Sequence, residues 1–203
     1  MRSAGDQPNI GEHAPARTLG LIGSAAGGVE RIRASLIEPA IASGWRVAVT
    51  LTPTAGTWLR VSGELERIEG VTGLPARVSP RMPTEVSPHP PIDCYLVCPA
   101  SSNTVAKLAL GLGDNQALTT VCEAIGSQVP VVVFPRINAA HARHPAWNSH
   151  IAALRDAGVH LLIGDEYWQL HEPRSADDED MPWAKVLDAV EAVTAGRDLS
   201  NKD

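Results

Sequence analysis

Four short apolar runs, each closed by a loop of small or polar residues, constrain this chain more than any other feature. Residues 19–22 lead into Gly23-Ser24-Ala25-Ala26-Gly27-Gly28, and residues 45–51 into Thr52-Pro53-Thr54-Ala55-Gly56-Thr57. Residues 94–98 lead into Pro99-Ala100-Ser101-Ser102-Asn103-Thr104, and residues 131–134 into the segment 135–144. After the first loop, Val29, Ile32, Leu36, Ile37 and Ile41 recur at helical spacing, with Gly44 as the stop. Strand, loop, helix, strand is a βαβ unit, which requires parallel pairing and a right-handed crossover. An irregular stretch carrying Pro80, Pro83, Pro88, Pro90 and Pro91 follows, and then the pattern resumes. It predicts helices over 102–112 and 118–127, and a strand over 131–134 that is apolar throughout, as in a strand covered on both faces. A helix over 147–157, a strand over 159–163 and a helix over 183–195 complete it. The prediction is an α/β fold, a three-layer doubly wound parallel sheet in one domain over 18–197. Residues 1–17 read as a flexible leader, 175–180 as a mobile acidic segment and 198–203 as a flexible tail.

Composition narrows the function classes. A chain of 203 residues with a formal net charge of −6 has no basic surplus for nucleic acid. It can still hold a small phosphate-bearing ligand through backbone amides. No apolar run approaches the roughly 20 residues of a membrane helix, and the first residues lack a signal-peptide core, so a cytoplasmic protein is expected. Cys94 and Cys98 are not spaced as C-x-x-C and read as small core thiols.

In an open parallel sheet the ligand lies beyond the carboxyl ends of the strands, where the four loops gather. Glycines let backbone approach a ligand, and Thr52, Thr54, Thr57, Ser101, Ser102 and Thr104 supply hydroxyls. Any one of these hydroxyls taken alone reads as a helix N-cap. Together on one sheet edge they point to a phosphate held at helix N-termini. The first loop is neither G-x-G-x-x-G nor a Walker loop, which argues against NAD and ATP.

Residues 99–104, P-A-S-S-N-T, resemble the PASANT motif of the homo-oligomeric flavin-containing cysteine decarboxylases. That family includes phosphopantothenoylcysteine decarboxylase and the lantibiotic peptidyl-cysteine decarboxylases. The helix that ends in Gly111-Leu112-Gly113-Asp114-Asn115 is similar to the family's G-x-x-D-N element. Pro135-Arg136-Ile137-Asn138 falls where the family has P-x-M-N, and His144-Pro145 matches its His-Pro. The likeness runs from about residue 19 to 163. It implies a Rossmann-like flavoprotein that binds FMN through Gly23, Ser24, Ala25, Thr52, Thr54, Trp58, Ser101, Ser102, Asn103 and Thr104. It also implies a homotrimer, or a dodecamer of stacked trimers, and a small-molecule or peptide substrate.

The resemblance has gaps. In the family a hydride passes from the substrate cysteine's Cβ to FMN, the thioaldehyde loses CO₂, and a histidine fourteen residues before the motif's proline serves as base. Counting back from Pro99, that position is Glu85, and the nearby histidine is His89, so either residue is a candidate catalytic base. Each also has a plainer reading, as a solvated loop histidine and a surface carboxylate. The substrate clamp keeps Asn138 for the carboxylate, but Ile137, His141 and Ala142 replace the family's two methionines and tryptophan. Arg136 and His141 are candidate substrate contacts with Asn138, and Arg136 equally suits an interface salt bridge. The segment 164–181 lacks the reducing cysteine of the coenzyme A branch, so a decarboxylase of this sequence would release an enethiol. His141, His144 and His150 are split by Pro145 and share no helical face, so no metal is expected. Trp147, Trp168 and Trp183 read as core or interface anchors. The leading expectation is an FMN-dependent oxidoreductase or decarboxylase (lyase) acting on a cysteine-derived or small carboxylated substrate. A catalytically silent FMN-binding or regulatory subunit is one alternative. A flavin prenyltransferase is another, although P-A-S-S-N-T and Asp114-Asn115 point away from it.

Overall fold

A computed structural model describes residues 17–175 and 180–200. The expected leader up to residue 16, residues 176–179 of the acidic segment and residues 201–203 of the tail lie outside the described residues. Five parallel strands form one sheet: β1 (Thr18–Gly23), β2 (Arg46–Leu51), β3 (Cys94–Ala100), β4 (Val131–Pro135) and β5 (His160–Leu161). Their order is β2-β1-β3-β4-β5, so the winding reverses between β1 and β3, where an open sheet leaves its binding crevice. β1, β3 and β4 pair on both sides and are buried almost throughout.

Each face of the sheet carries its own core. Leu19, Leu21, Val47, Val49, Leu96 and Cys98 pack under the first helical segment, α2 (Pro53–Val61), α3 (Glu64–Thr72) and α8 (Trp183–Ser200). Ile22, Val97, Val131 and Val133 pack on the opposite face, under α4 (Ser102–Ala109), α5 (Gln116–Gly126) and α7 (Trp147–Asp156). A four-residue helix, α6 (Ala139–Ala142), bridges β4 and α7. Gly20 permits one close contact in the second layer, because a Cβ there would lie 2.5 Å from the Tyr95 ring.

Several elements differ from the sequence reading. The helix expected over 29–42 is a 3₁₀ turn (Val29–Arg31), a π-helical stretch (Arg33–Ile37) and a short α-helix, α1 (Glu38–Ala42). The loop expected at 52–57 is helical from Pro53: Thr52 is the extended N-cap and the proline takes the first helical position, where its missing N–H costs nothing. The stretch before β3, expected to be irregular, contains α3, which buries only Leu65 and Ile68 between two left-handed glycines, Gly63 and Gly73. The last strand shrinks to two residues, and α8 runs on to Ser200, into the expected tail. Among the described residues no helix is long and apolar enough to cross a membrane.

Candidate functional site

The crevice between β1 and β3 is closed underneath by a single buried hydroxyl. Ser24, 1% exposed, donates from Oγ to the Pro99 carbonyl at 2.8 Å and accepts from the Ser101 N–H at 2.7 Å. The Ser24 amide also reaches the Pro99 carbonyl, at 3.1 Å. The first loop and the loop after β3 are therefore stitched together, and the Ser24 hydroxyl is turned inward, not toward a ligand. The loop after β2 joins this group, since the Thr52 amide donates to the Gly23 carbonyl at 2.9 Å. Gly23 is required where the strands converge, because a Cβ would lie 2.8 Å from Leu51. Gly28, at φ 94°, sits under the lead-in to α8; a Cβ there would lie 2.2 Å from the Met181 sulfur.

Two helix N-termini open on this edge. Thr52 makes no side-chain cap on α2, so the amides of its first turn have no intrahelical acceptor and no capping oxygen. On α4, Ser101 Oγ accepts from the Thr104 amide at 3.2 Å and bonds to the Thr104 hydroxyl at 3.0 Å. Ser101 and the buried Thr104 thus complete a cap, whereas Ser102 and Asn103, in the first helical positions, keep N–H groups without an intrahelical acceptor. Thr54 is exposed on the first turn of α2, and Trp58 on the same helix leaves half its surface, 51%, in solvent. Ala25 is half-buried beside Ser24. Amide-rich, glycine-lined and flanked by two positive helix ends, the crevice fits the phosphate of a mononucleotide.

The substrate-side candidates follow β4. Asn138 caps α6, its Oδ1 accepting from the His141 amide at 3.0 Å. Arg136 lies with its guanidinium 3.6 Å from the centre of the Trp168 ring, a cation–π stack that fixes the side chain at the root of the loop. Trp168, read from sequence as an anchor, is thereby also the residue that orients Arg136. His141 lines a cleft of about 220 Å³ with Ser102, Asn103, Ala106, His144, Trp147 and His150. The structure therefore brings together three histidines that the sequence reading set apart. Among the described residues no three His, Cys, Asp or Glu side chains are grouped so as to hold a metal ion.

The candidate bases lie elsewhere. His89 donates from Nε2 to the Pro75 carbonyl at 2.8 Å, and burial pushes its imidazole below the ordinary range. Pro75 is two residues from Arg77, which bridges Thr50 on the outer side of β2. The exposed Glu85 accepts from the Met82 amide at 2.8 Å, closing a tight turn on the same connection. β2 and β4 are three strand spacings apart, about 14 Å. His89 is thus tied to the segment that runs beside β2, and Glu85 to its own turn.

Comparison with known proteins adds a family and a fold. The Flavoprotein family model matches residues 12–195. A cysteine/cysteine sulfinic acid decarboxylase from an unknown prokaryotic organism is 34% identical over 70 residues, which is 34% of this chain and 19% of that relative's own length. The chain therefore spans about a fifth of that relative. Among solved structures, the FMN-dependent cysteine decarboxylase TvaF from thioviridamide biosynthesis is similar with a TM-score of 0.63 at 21% identity, covering 88% of this chain and 98% of that one. The cypemycin decarboxylase CypD gives a TM-score of 0.67 at 16% identity, covering 92% and 96%. At those identities the likeness is one of fold.

Proposed function

Because the chain belongs to the Flavoprotein family, we propose that it holds FMN in the crevice between β1 and β3 and acts as an oxidative decarboxylase on a small, cysteine-derived carboxylate. The observation that carries this reading is the group of amide donors on one sheet edge: the uncapped turn of α2, the first turn of α4 and the glycine loop after β1. FMN, when bound, supplies a two-electron acceptor for hydride. The protein's own residues do the rest. Backbone amides at Ala25, Thr54 and the start of α4 hold the phosphate and the polar edge of the ring, with Thr52, Ser102 and Asn103 beside them. The exposed face of Trp58 covers apolar surface next to the crevice. Asn138 keeps its Oδ1 on the α6 cap, which leaves the Nδ2 amide to donate to a substrate carboxylate. Arg136, immobilised on Trp168, adds positive potential at the same end of the sheet.

A second reading, an FMN-holding subunit without turnover, is favoured by one observation. His89 is tied to Pro75 and Glu85 to its own turn, so both candidate bases are engaged by the protein's own groups. Two measurements decide between these readings. Denaturing the purified protein and chromatographing the supernatant is expected to release FMN; FAD, NAD or no cofactor from folded protein overturns the flavin assignment. Asn138→Asp keeps an acceptor for the His141 amide, so the α6 cap and the melting temperature are expected to hold. The added charge repels a substrate carboxylate, and turnover of cysteine-terminated peptides should fall about ten- to a hundredfold. Unchanged turnover removes Asn138 from substrate binding, and no turnover by the FMN-loaded wild type favours the silent subunit.

A further inference from the structure

We propose that the cleft between α4 and the α6–α7 corner is a subsite for the oxyanionic end of the substrate, with His141, His144 and His150 as its donors. The inference rests on the flavin reading above and names the chemistry its substrate must carry. Seven residues line the cleft, three of them histidines, and none is Asp, Glu, Lys or Arg. A neutral imidazole offers one N–H and an imidazolium two. Ser102 and Asn103, at the start of α4, form the wall shared by this cleft and the flavin crevice. His144 accepts from the Ala146 amide through Nδ1 at 3.2 Å, so its Nε2–H is the donor left to a ligand. Charged neighbours on the flanking elements are already engaged: Lys107 of α4 with Asp114, and Arg143 after α6 with Glu172. Arg155 and Asp156 lie at the far turn of α7.

Size selects further. About 220 Å³ amounts to roughly seven liquid-water volumes, enough for a carboxylate with its neighbouring carbons or a phosphate group. The cleft adjoins Asn103 of the flavin crevice and follows directly on the Asn138 cap. An oxyanion here therefore extends a substrate whose reacting end faces the β1–β3 crevice.

The experiment is a titration of FMN-loaded protein carrying ¹³C-labelled histidine, with inorganic phosphate in one arm and acetate in the other, against matched sodium chloride. Saturable movement of the His141, His144 and His150 ring resonances with either probe is the expected result. Phosphate alone indicates a phosphorylated substrate and acetate alone a carboxylate one. His141→Gln and His150→Gln, both on the protein surface, should each weaken binding about tenfold or more, as for a lost bond to a charged group. Resonances that move no more than with chloride, or double-variant affinity equal to wild type, overturn the subsite. So does micromolar zinc that shifts all three rings together and displaces the anion, which would make this a metal site. The flavin reading fails separately, through cofactor extraction: protein without FMN whose histidines still saturate keeps the subsite and loses the flavin.

Discussion

Replacing Ser24 by alanine separates a structural hydroxyl from a ligand-binding one. The side chain is buried and makes two bonds inside the protein, one to the Pro99 carbonyl and one from the Ser101 amide. The Pro99 carbonyl retains the Ser24 amide at 3.1 Å after truncation, so its loss is small. The Ser101 N–H loses its side-chain partner, and leaving this part-buried donor unsatisfied costs about 1–3 kcal/mol. A loss of about 1–3 kcal/mol in a chain of this length lowers the melting temperature by roughly 2–12 °C. The assay is thermal unfolding of FMN-free protein followed by circular dichroism, alongside FMN affinity from flavin fluorescence quenching. The FMN-free variant should carry the whole loss, and FMN affinity should fall less than about tenfold because the hydroxyl faces away from the ligand. A variant whose FMN-free melting temperature stays within about 1 °C of wild type, while FMN affinity collapses, refutes the inward role and returns Ser24 to the phosphate.

Three further expectations follow from the geometry. Gly28→Ala imposes a left-handed conformation on a residue with a Cβ, about 1–2 kcal/mol, and drives that Cβ into Met181; unchanged stability would show that the α8 lead-in is not packed on the first loop. His89 is held below its ordinary value of 6.5 by burial, so the unfolded chain binds the proton more readily. Its contribution is therefore complete above pH 6.5 and is lost as the pH falls through the window beneath it. In denaturant titrations across that window, His89→Gln should flatten the slope, and an unchanged slope would count against the burial. Trp58, Val61, Leu110 and Leu112 leave large apolar surfaces exposed on and beside α2 and α4, which suits assembly of three copies of the 21.5 kDa chain, about 65 kDa by light scattering. A stable, FMN-saturated monomer would contradict that.

The strands were legible because β1, β3 and β4 are covered on both faces and read as unbroken apolar runs. The cap at Ser101 was legible too, because capping is local. α3 escaped because two buried residues among four glutamate and arginine positions make no visible stripe. The start of α2 escaped because Thr-Pro-Thr-Ala-Gly-Thr has the composition of a turn, although threonine followed by proline is also a helix entry. The role of Ser24 depends on Pro99 and Ser101, more than seventy residues away, and no local pattern encodes it. The histidine cleft escaped for the opposite reason. His141 lies on α6, His144 in the turn before Pro145 and His150 on α7, so helical periodicity treats them as unrelated, and the packing of α7 against α4 brings them to one cleft.

β3 runs through the middle of the sheet with Cys94 and Cys98 both fully buried, and burial pushes the Cys98 thiol far from ionisation. Cys122 on α5 is only partly buried, with its thiol raised by burial and by Glu123 beside it. Since the thiolate is the species that reacts, an alkylating or exchange reagent meets at most one sulfur on the folded protein. The other two become available only when β3 leaves its neighbours β1 and β4, an opening close to global unfolding. Counting modified sulfurs against time therefore clocks the rupture of the sheet at its crossover without any added label.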